Sequence, residues 1–276
     1  MQLEPHSYSS RFSDLLRAYY FAPNHPCKLR IFGWLENIWS PKRIAVKTNA
    51  GFRFAVDRRD YIQNTVFTTR HWEPEIESIL KENLRSTDVF FDIGANVGYF
   101  SLYAIAQGCE SVVSFEPSDE LRPIFAHNLE LNGIQDRICS LVPRALGDTH
   151  GSGYYETGPL SNSGIGRLTH DEAAGDTIIE ITTLDQFLQS SGHASPTVMK
   201  IDVEGWEPQV LRGARNLFTT HPPRIVIFEA DCDGSGALAD REIEAHFSEF
   251  GYRVEHIKRP VIEEKENYLA ILTTTE

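Results

Sequence analysis

The stretch VFFDIGANVGYFSLYAIAQG, residues 89–108, runs as an apolar segment into Asp92-Ile93-Gly94-Ala95-Asn96-Val97-Gly98 and resumes as a helical pattern. A strand that turns on glycine straight into a helix commits the chain to a βα unit, with backbone N–H groups of the turn facing whatever it holds. The alternation recurs. The β-rich runs DVFFDIG, SVVSFEP, RICSLVPRALGD, TVMKID, RIVIFEA, YRVEHIK and YLAILTT are interleaved with the helical patterns VGYFSLYAIAQG, SDELRPIFAHNLELNG, GWEPQVLRGARNLF and DREIEAHFSEFG. Such an order predicts a parallel sheet covered by helices on both faces. Only about nine residues, rich in charge and without a helical stripe, separate the last two runs. A hairpin is expected there, with the final strand antiparallel.

The turn constrains its ligand. Dinucleotide sites use G-x-G-x-x-G, whereas here the spacing is Asp92-x-Gly94-x-x-x-Gly98 with Asn96 at the middle position. An acid in the turn would repel a pyrophosphate but suits a ligand carrying an ammonium and a sulfonium, which points to S-adenosylmethionine (SAM). Glu116 ends the next strand, 116 − 92 = 24 positions on, where a carboxylate can accept hydrogen bonds from ribose hydroxyls. Ala95 and Asn96 lie in the first turn and Pro117 at the tip of the second strand, while Gly98 also serves packing. PRALGD offers Ala145 to an adenine edge and Asp148 to its amino group. A purely structural turn, with Asp92 as a helix cap, would leave Glu116 without a reason.

A second cluster lies in TVMKIDVEGWEPQVLRGA, where Lys200, Asp202 and Glu204 alternate at the end of a buried run before Gly205. Alternate positions on a strand share a face, so a cation and two carboxylates gather at the carboxyl edge of the sheet, beside the glycine turn. Transfer of a methyl group to a hydroxyl needs the hydroxyl positioned and its proton removed, worth about 10²- to 10⁴-fold for the base alone. Asp202 or Glu204 could take that proton and Lys200 could orient the hydroxyl; Asp202 also borders the cofactor. Asp202, Glu204 and Glu229 of IVIFEA could instead gather oxygen ligands for Mg²⁺, or the three charges could simply form a network that ties strand ends together. His71, Trp72 and Glu73 precede a helix that starts at Pro74 and carries Ile76, Ile79, Leu80 and Leu84 on one face. Glu73 could hold an ammonium, and His71 is a second candidate base.

Composition narrows the partners. The 276 residues carry 26 basic and 39 acidic side chains, a net charge of −13, which disfavours a nucleic-acid or anionic-membrane surface. Cys27, Cys109, Cys139 and Cys232 form no CxxC pair, and no basic-then-apolar leader or run of roughly 20 apolar residues occurs. A cytoplasmic chain with reduced thiols is expected. Residues 1–58 read as an N-terminal extension with a helix around RFSDLLRAYYF and a hairpin around Asn49-Ala50-Gly51. Residues 59–276 read as the main domain, interrupted at about 147–180 by a Gly-, Ser-, Thr- and Asp-rich segment expected to be a functional loop.

The ordered set HWEPEI, FFDIGANVGYFSL, VVSFEPS, NLELNG, RALGD, TTLDQFL, MKIDVEGWEPQVLRGA and IVIFEA resembles the FkbM-like family of SAM-dependent methyltransferases over about residues 60–235. The resemblance implies an α/β, Rossmann-like class I methyltransferase fold with seven strands and an antiparallel last strand, SAM as cofactor, and O-methylation of a sugar, glycoconjugate or polyketide-like hydroxyl. It supports Glu73, Asp92, Gly94, Asn96, Gly98 and Glu116 around the cofactor and Lys200, Asp202, Glu204 and Gly205 near the reaction. SNSGIGRL resembles the family's variable middle region, so Asn162 and Ser163, with Glu229, would face the acceptor. The expected partners are that small-molecule acceptor and a further copy of the chain, without nucleic acid or a membrane span. The alternatives are an NAD(P)-linked oxidoreductase, disfavoured by the missing third glycine and Asp92, and a non-catalytic SAM-binding module.

Overall fold

The computed structural model describes residues 43–273 except 160, 170, 174, 176 and 260–262, with a few isolated positions before 43. Of the helix expected around RFSDLLRAYYF only Ala18 and Tyr19 are described, both helical, and the rest lies outside the described residues. The expected hairpin forms from β1 (Arg43–Lys47) and β2 (Arg53–Asp57), antiparallel with Lys47 opposite Arg53. Ile44, Val46, Phe52, Phe54 and Val56 enter the same core cluster as the central sheet, so the hairpin packs into the main body.

An element not expected from the sequence follows, α1 (Tyr61–Thr69), started by Asp60, whose side chain accepts from the Gln63 amide. Its β-branched and aromatic residues hide the helical pattern. Helix α2 (Pro74–Asn83) begins at Pro74 and buries Ile76 and Leu80 as expected. The βα series then runs β3 (Val89–Ile93), α3 (Tyr99–Ala106), β4 (Ser111–Phe115), α4 (Arg122–Leu131) and β5 (Cys139–Val142). The run RICSLVPRALGD divides: β6 (Ala145–Leu146) leaves the central sheet.

Residues 147–180 are not the aperiodic loop the sequence suggested. β7 (Gly151–Glu156), β8 (Arg167–Thr169) and β9 (Thr177–Thr182) join β6 in a second sheet of order β6-β9-β7-β8. The segment looks unstructured in one dimension because its core is small, built on Ala145, Tyr155, Ile179 and Ile181.

The chain re-enters the main body through α5 (Leu184–Ser191) and β10 (Val198–Ile201). GWEPQVLRGARNLF, expected as one helix, forms α6 (Glu207–Arg212) and α7 (Arg215–Thr220). The break falls at Gly213, where a Cβ would lie 1.9 Å from the Gly147 carbonyl oxygen. Then come β11 (Ile225–Asp231), α8 (Arg241–Glu249), β12 (Tyr252–His256) and β13 (Lys265–Leu272).

The central sheet has the order β12-β13-β11-β10-β3-β4-β5, and β13 runs antiparallel to both neighbours, as expected. Alternate residues point to opposite faces: Phe90, Val112, Val198 and Ile225 join the core under α3 and the hairpin, while Phe91, Val113, Met199 and Val226 join the core under α5 to α8. Because β10 lies beside β3 with Lys200 level with Asp92, and β4 beside β3 with Phe115 level with Ile93, both charged motifs end at one edge.

Candidate functional site

Two hollows meet at the carboxyl edge of β3 and β10, sharing Gly94, Asn96, Gly164, Asp202 and Glu204. The first is walled by Glu116, Pro117, Leu121, Ala145 and Tyr155, the second by Trp72, Glu73, Asp92, Ala95, Phe100, Lys200 and Glu229.

The turn after β3 is held by the acid at the tip of β4. Glu116 accepts from the Asn96 and Ser118 amides, one on each carboxylate oxygen at 2.8 Å. Burial pushes its pKa up to about 7, although both N–H bonds pull the other way. Gly94 is required: φ is 81° and a Cβ would lie 1.8 Å from the Asp202 carbonyl oxygen. Gly98 caps α3 at φ 87°, but what presses on it is the Phe125 ring, 2.2 Å from a built Cβ, and it lines neither hollow.

The second hollow is dense in charge. Lys200, buried, donates to Asp202 Oδ2 at 2.7 Å with its ammonium 5.0 Å from the Phe100 ring centre. Burial would lower its pKa, but Asp202, Asp92 and Glu73 together hold it above the ordinary range. Asp92 Oδ2 accepts from Ser101 at 2.5 Å, while its buried Oδ1 has no partner. Burial raises the Asp92 pKa against the pull of Lys200. Glu73 Oε1 accepts from Asn267 Nδ2 at 3.0 Å and its buried Oε2 also lacks a partner; burial, then Asp202, pushes its pKa up to about 7.

Strand pleating does not carry the KIDVEG motif to its end. β10 stops at Ile201, and Glu204 reaches the hollow through a left-handed turn, φ 55° at Glu204 and 93° at Gly205. There Lys265 Nζ contacts Glu204 Oε2 at 3.0 Å and Glu229 Oε2 at 3.3 Å. Burial, then Asp202 and Glu204, pushes the Glu229 pKa up to about 8. One carboxylate oxygen from each of Asp202, Glu204 and Glu229 lies within 4.8 Å of the others, so the set considered for Mg²⁺ does converge, with Lys200 and Lys265 already on it. Four non-glycine residues among those described have positive φ, and three of them, Glu73, Asn96 and Glu204, line this cleft. Strain of this kind gathers at functional sites.

Of the residues singled out in the sequence, Glu73, Asp92, Gly94, Ala95, Asn96, Glu116, Pro117, Ala145, Ser163, Lys200, Asp202, Glu204 and Glu229 line the cleft. His71 does not; its ring sits between Glu77 Oε2 at 3.3 Å and Asn49 Nδ2 at 3.0 Å. Asp148 pairs with Arg212, at 3.0 Å from Nη2 and 3.1 Å from Nε. Asn162 caps a short 3-10 turn through the Gly164 amide, and Ser163 is tied to buried Asp60 by its own amide at 2.7 Å. The sequence reading missed Tyr155 and Arg167 from the second sheet, Arg144 just before it, and Lys265 and Asn267 from β13. Lys265 and Asn267 stand two apart in KEN, a strand period that the charged context masked.

Sheet order, glycine turn and acidic strand tips together define a Rossmann-like fold of the methyltransferase class. The model of the methyltransferase FkbM domain matches residues 92–254, and the chain belongs to that family. Hexuronic acid methyltransferase AglP of Haloferax volcanii is 27% identical over 147 residues, 52% of this chain and 57% of that one, so the chain spans less than two thirds of this relative. Among solved structures, methyltransferase FkbM from Methylobacillus flagellatus KT is 16% identical, covering 76% of this chain and 52% of that one with a TM-score of 0.47. P. horikoshii TYW2 in complex with MeSAdo is 12% identical, covering 84% and 70%, with a TM-score of 0.44. Among the described residues no helix is long and apolar enough to cross a membrane.

Proposed function

We propose that the protein is a SAM-dependent O-methyltransferase acting on a hydroxyl of a small molecule, of which a sugar or glycoconjugate is the leading class. The observation that carries the cofactor assignment is the pair of buried carboxylate oxygens without partners, Asp92 Oδ1 and Glu73 Oε2, bordering one hollow. Buried acceptors without donors are costly, about 1–3 kcal/mol each, and a ligand ammonium would satisfy them. Glu116, fixed by two amides, keeps acceptor capacity for ribose hydroxyls at the other end, where Pro117 and Ala145 wall the first hollow. SAM supplies an electrophilic methyl group carried on a sulfonium.

The chain's own residues would do the rest. Asp202, oriented by the Lys200 ammonium, takes the acceptor proton, with Glu204 and Glu229 beside it. Lys200 orients the hydroxyl, and Phe100 shields that ammonium from water. Ser163, from the segment bound to Asp60, lines the first hollow beside Gly164, which borders both, and would reach the acceptor from there. The sugar class rests on the distant relative, a hexuronic acid methyltransferase.

Titration calorimetry with SAM should show affinity falling about tenfold or more in Asp92→Ala and in Glu116→Ala, the equivalent of one lost charged hydrogen bond. Asp202→Asn should keep SAM affinity and lose labelled methyl transfer to a panel of glycosides and polyketides. Unchanged affinity in both cofactor variants would sink the site assignment.

A further inference from the structure

The three carboxylates at the acceptor end hold a cation that belongs to the chain. Mg²⁺ binds oxygens at about 2.1 Å, so the oxygens around one ion lie within about 4.2 Å of one another. Asp202, Glu204 and Glu229 come close to that, within 4.8 Å. The ammonium of Lys265 bridges two of them, 3.0 Å from Glu204 and 3.3 Å from Glu229, and its side chain is only 32% exposed. Lys265 reaches this edge because β13 is inserted antiparallel beside β11, placing Lys265 opposite Asp231 and Asn267 opposite Glu229. Gly205 answers to its φ of 93° rather than to crowding, since a Cβ built there would meet only Lys265 Nζ, at an ordinary contact distance of 4.0 Å.

We infer that Lys265 is a positioning residue that stands in for a divalent metal, holding Glu204 and Glu229 toward the acceptor so that methyl transfer proceeds without an ion. This rests on the methyltransferase reading only for the reaction it serves. Removing the ammonium leaves three carboxylates facing one another with a single lysine, Lys200, beside them. That is a set a hard cation would bind, since ligand charge and number set such affinities.

The test is Mn²⁺ binding, followed by the loss of its free-ion electron paramagnetic resonance signal, in the wild-type chain, Lys265→Met and Lys265→Arg. Lys265→Met should bind one Mn²⁺ with affinity about tenfold or more above wild type, while Lys265→Arg should behave as wild type. A lysine that only filled space, without neutralising the carboxylates, would produce no such gain. Tight stoichiometric Mn²⁺ binding by the wild-type chain, or no gain in a Lys265→Met variant whose melting curve shows it folded, would overturn the inference. If Lys265→Met does not fold, Lys265→Gln serves in its place. SAM titration of the wild type in the same buffer separates the two readings: failure to bind SAM removes the methyltransferase proposal and leaves the Mn²⁺ result standing.

Discussion

Asp92 and Gly94 divide the work of one turn between charge and space. Asp92 is buried with one oxygen on Ser101 and one free, and Gly94 lets the turn lie against the end of β10. Gly94→Ala must push the Asp202 carbonyl away in addition to holding an alanine at positive φ, so it should cost about 2 kcal/mol or more. Gly51→Ala carries comparable strain, φ 96°, but meets nothing within 4 Å and should cost about 1 kcal/mol. Chemical denaturation of the two variants decides it; equal losses would mean that the turn and β10 separate without resistance. Much of this residue scale was legible. DIGANVG and KIDVEG carry their acids and glycines where an apolar run gives way to a helical pattern, which marks the carboxyl edge of a sheet. His71 and Asp148 lie off the cleft because each side chain's nearest partner, Asn49 for one and Arg212 for the other, comes from another element.

Among the elements, α1 and the second sheet decide how the two hollows are walled, α1 through Ile62 at the second and the second sheet through Tyr155, Arg167 and Leu168 at the first. Asp60 caps α1 through Gln63 and also accepts from the Ser163 amide, while the Tyr61 amide donates to Ser161. One carboxylate thus fastens the 161–163 segment to the helix beside the cleft. Asp60→Ala should lose about 1–2 kcal/mol for the cap and open the segment to cleavage in limited proteolysis. A wild-type digestion pattern in a variant of lowered stability would confine Asp60 to capping. The central strands were readable as apolar runs with turns at their ends. The second sheet was not, since its short strands pair with each other and bury few side chains.

The charge of the whole site links stability to pH. Burial raises Glu73, Glu116 and Glu207 to about 7 and Glu229 to about 8, from an ordinary 4.5. The folded chain then binds protons more tightly than the unfolded one, so stability is greatest at the acidic end and falls as pH rises through these values. The melting temperature of the ligand-free protein should drop between about pH 5 and pH 8, and saturating SAM should flatten the part of the drop that belongs to Glu73 by bringing a positive charge to it. A melting temperature that rises over this interval without ligand would show that the carboxylates are better solvated than their burial implies.

The sequence by itself determined the βα order, the antiparallel last strand, the glycine turn and the acids at the strand tips, because these follow from periodicity and from local backbone demands. Tertiary structure alone decided that Lys265 and Asn267 complete the cleft, that Glu204 arrives by a left-handed turn, and that His71 is turned away. Those outcomes depend on which strand β13 pairs with and on where one element's charges find another's. Pairing over long separations is selected by the packing of the whole sheet, and no local pattern encodes it.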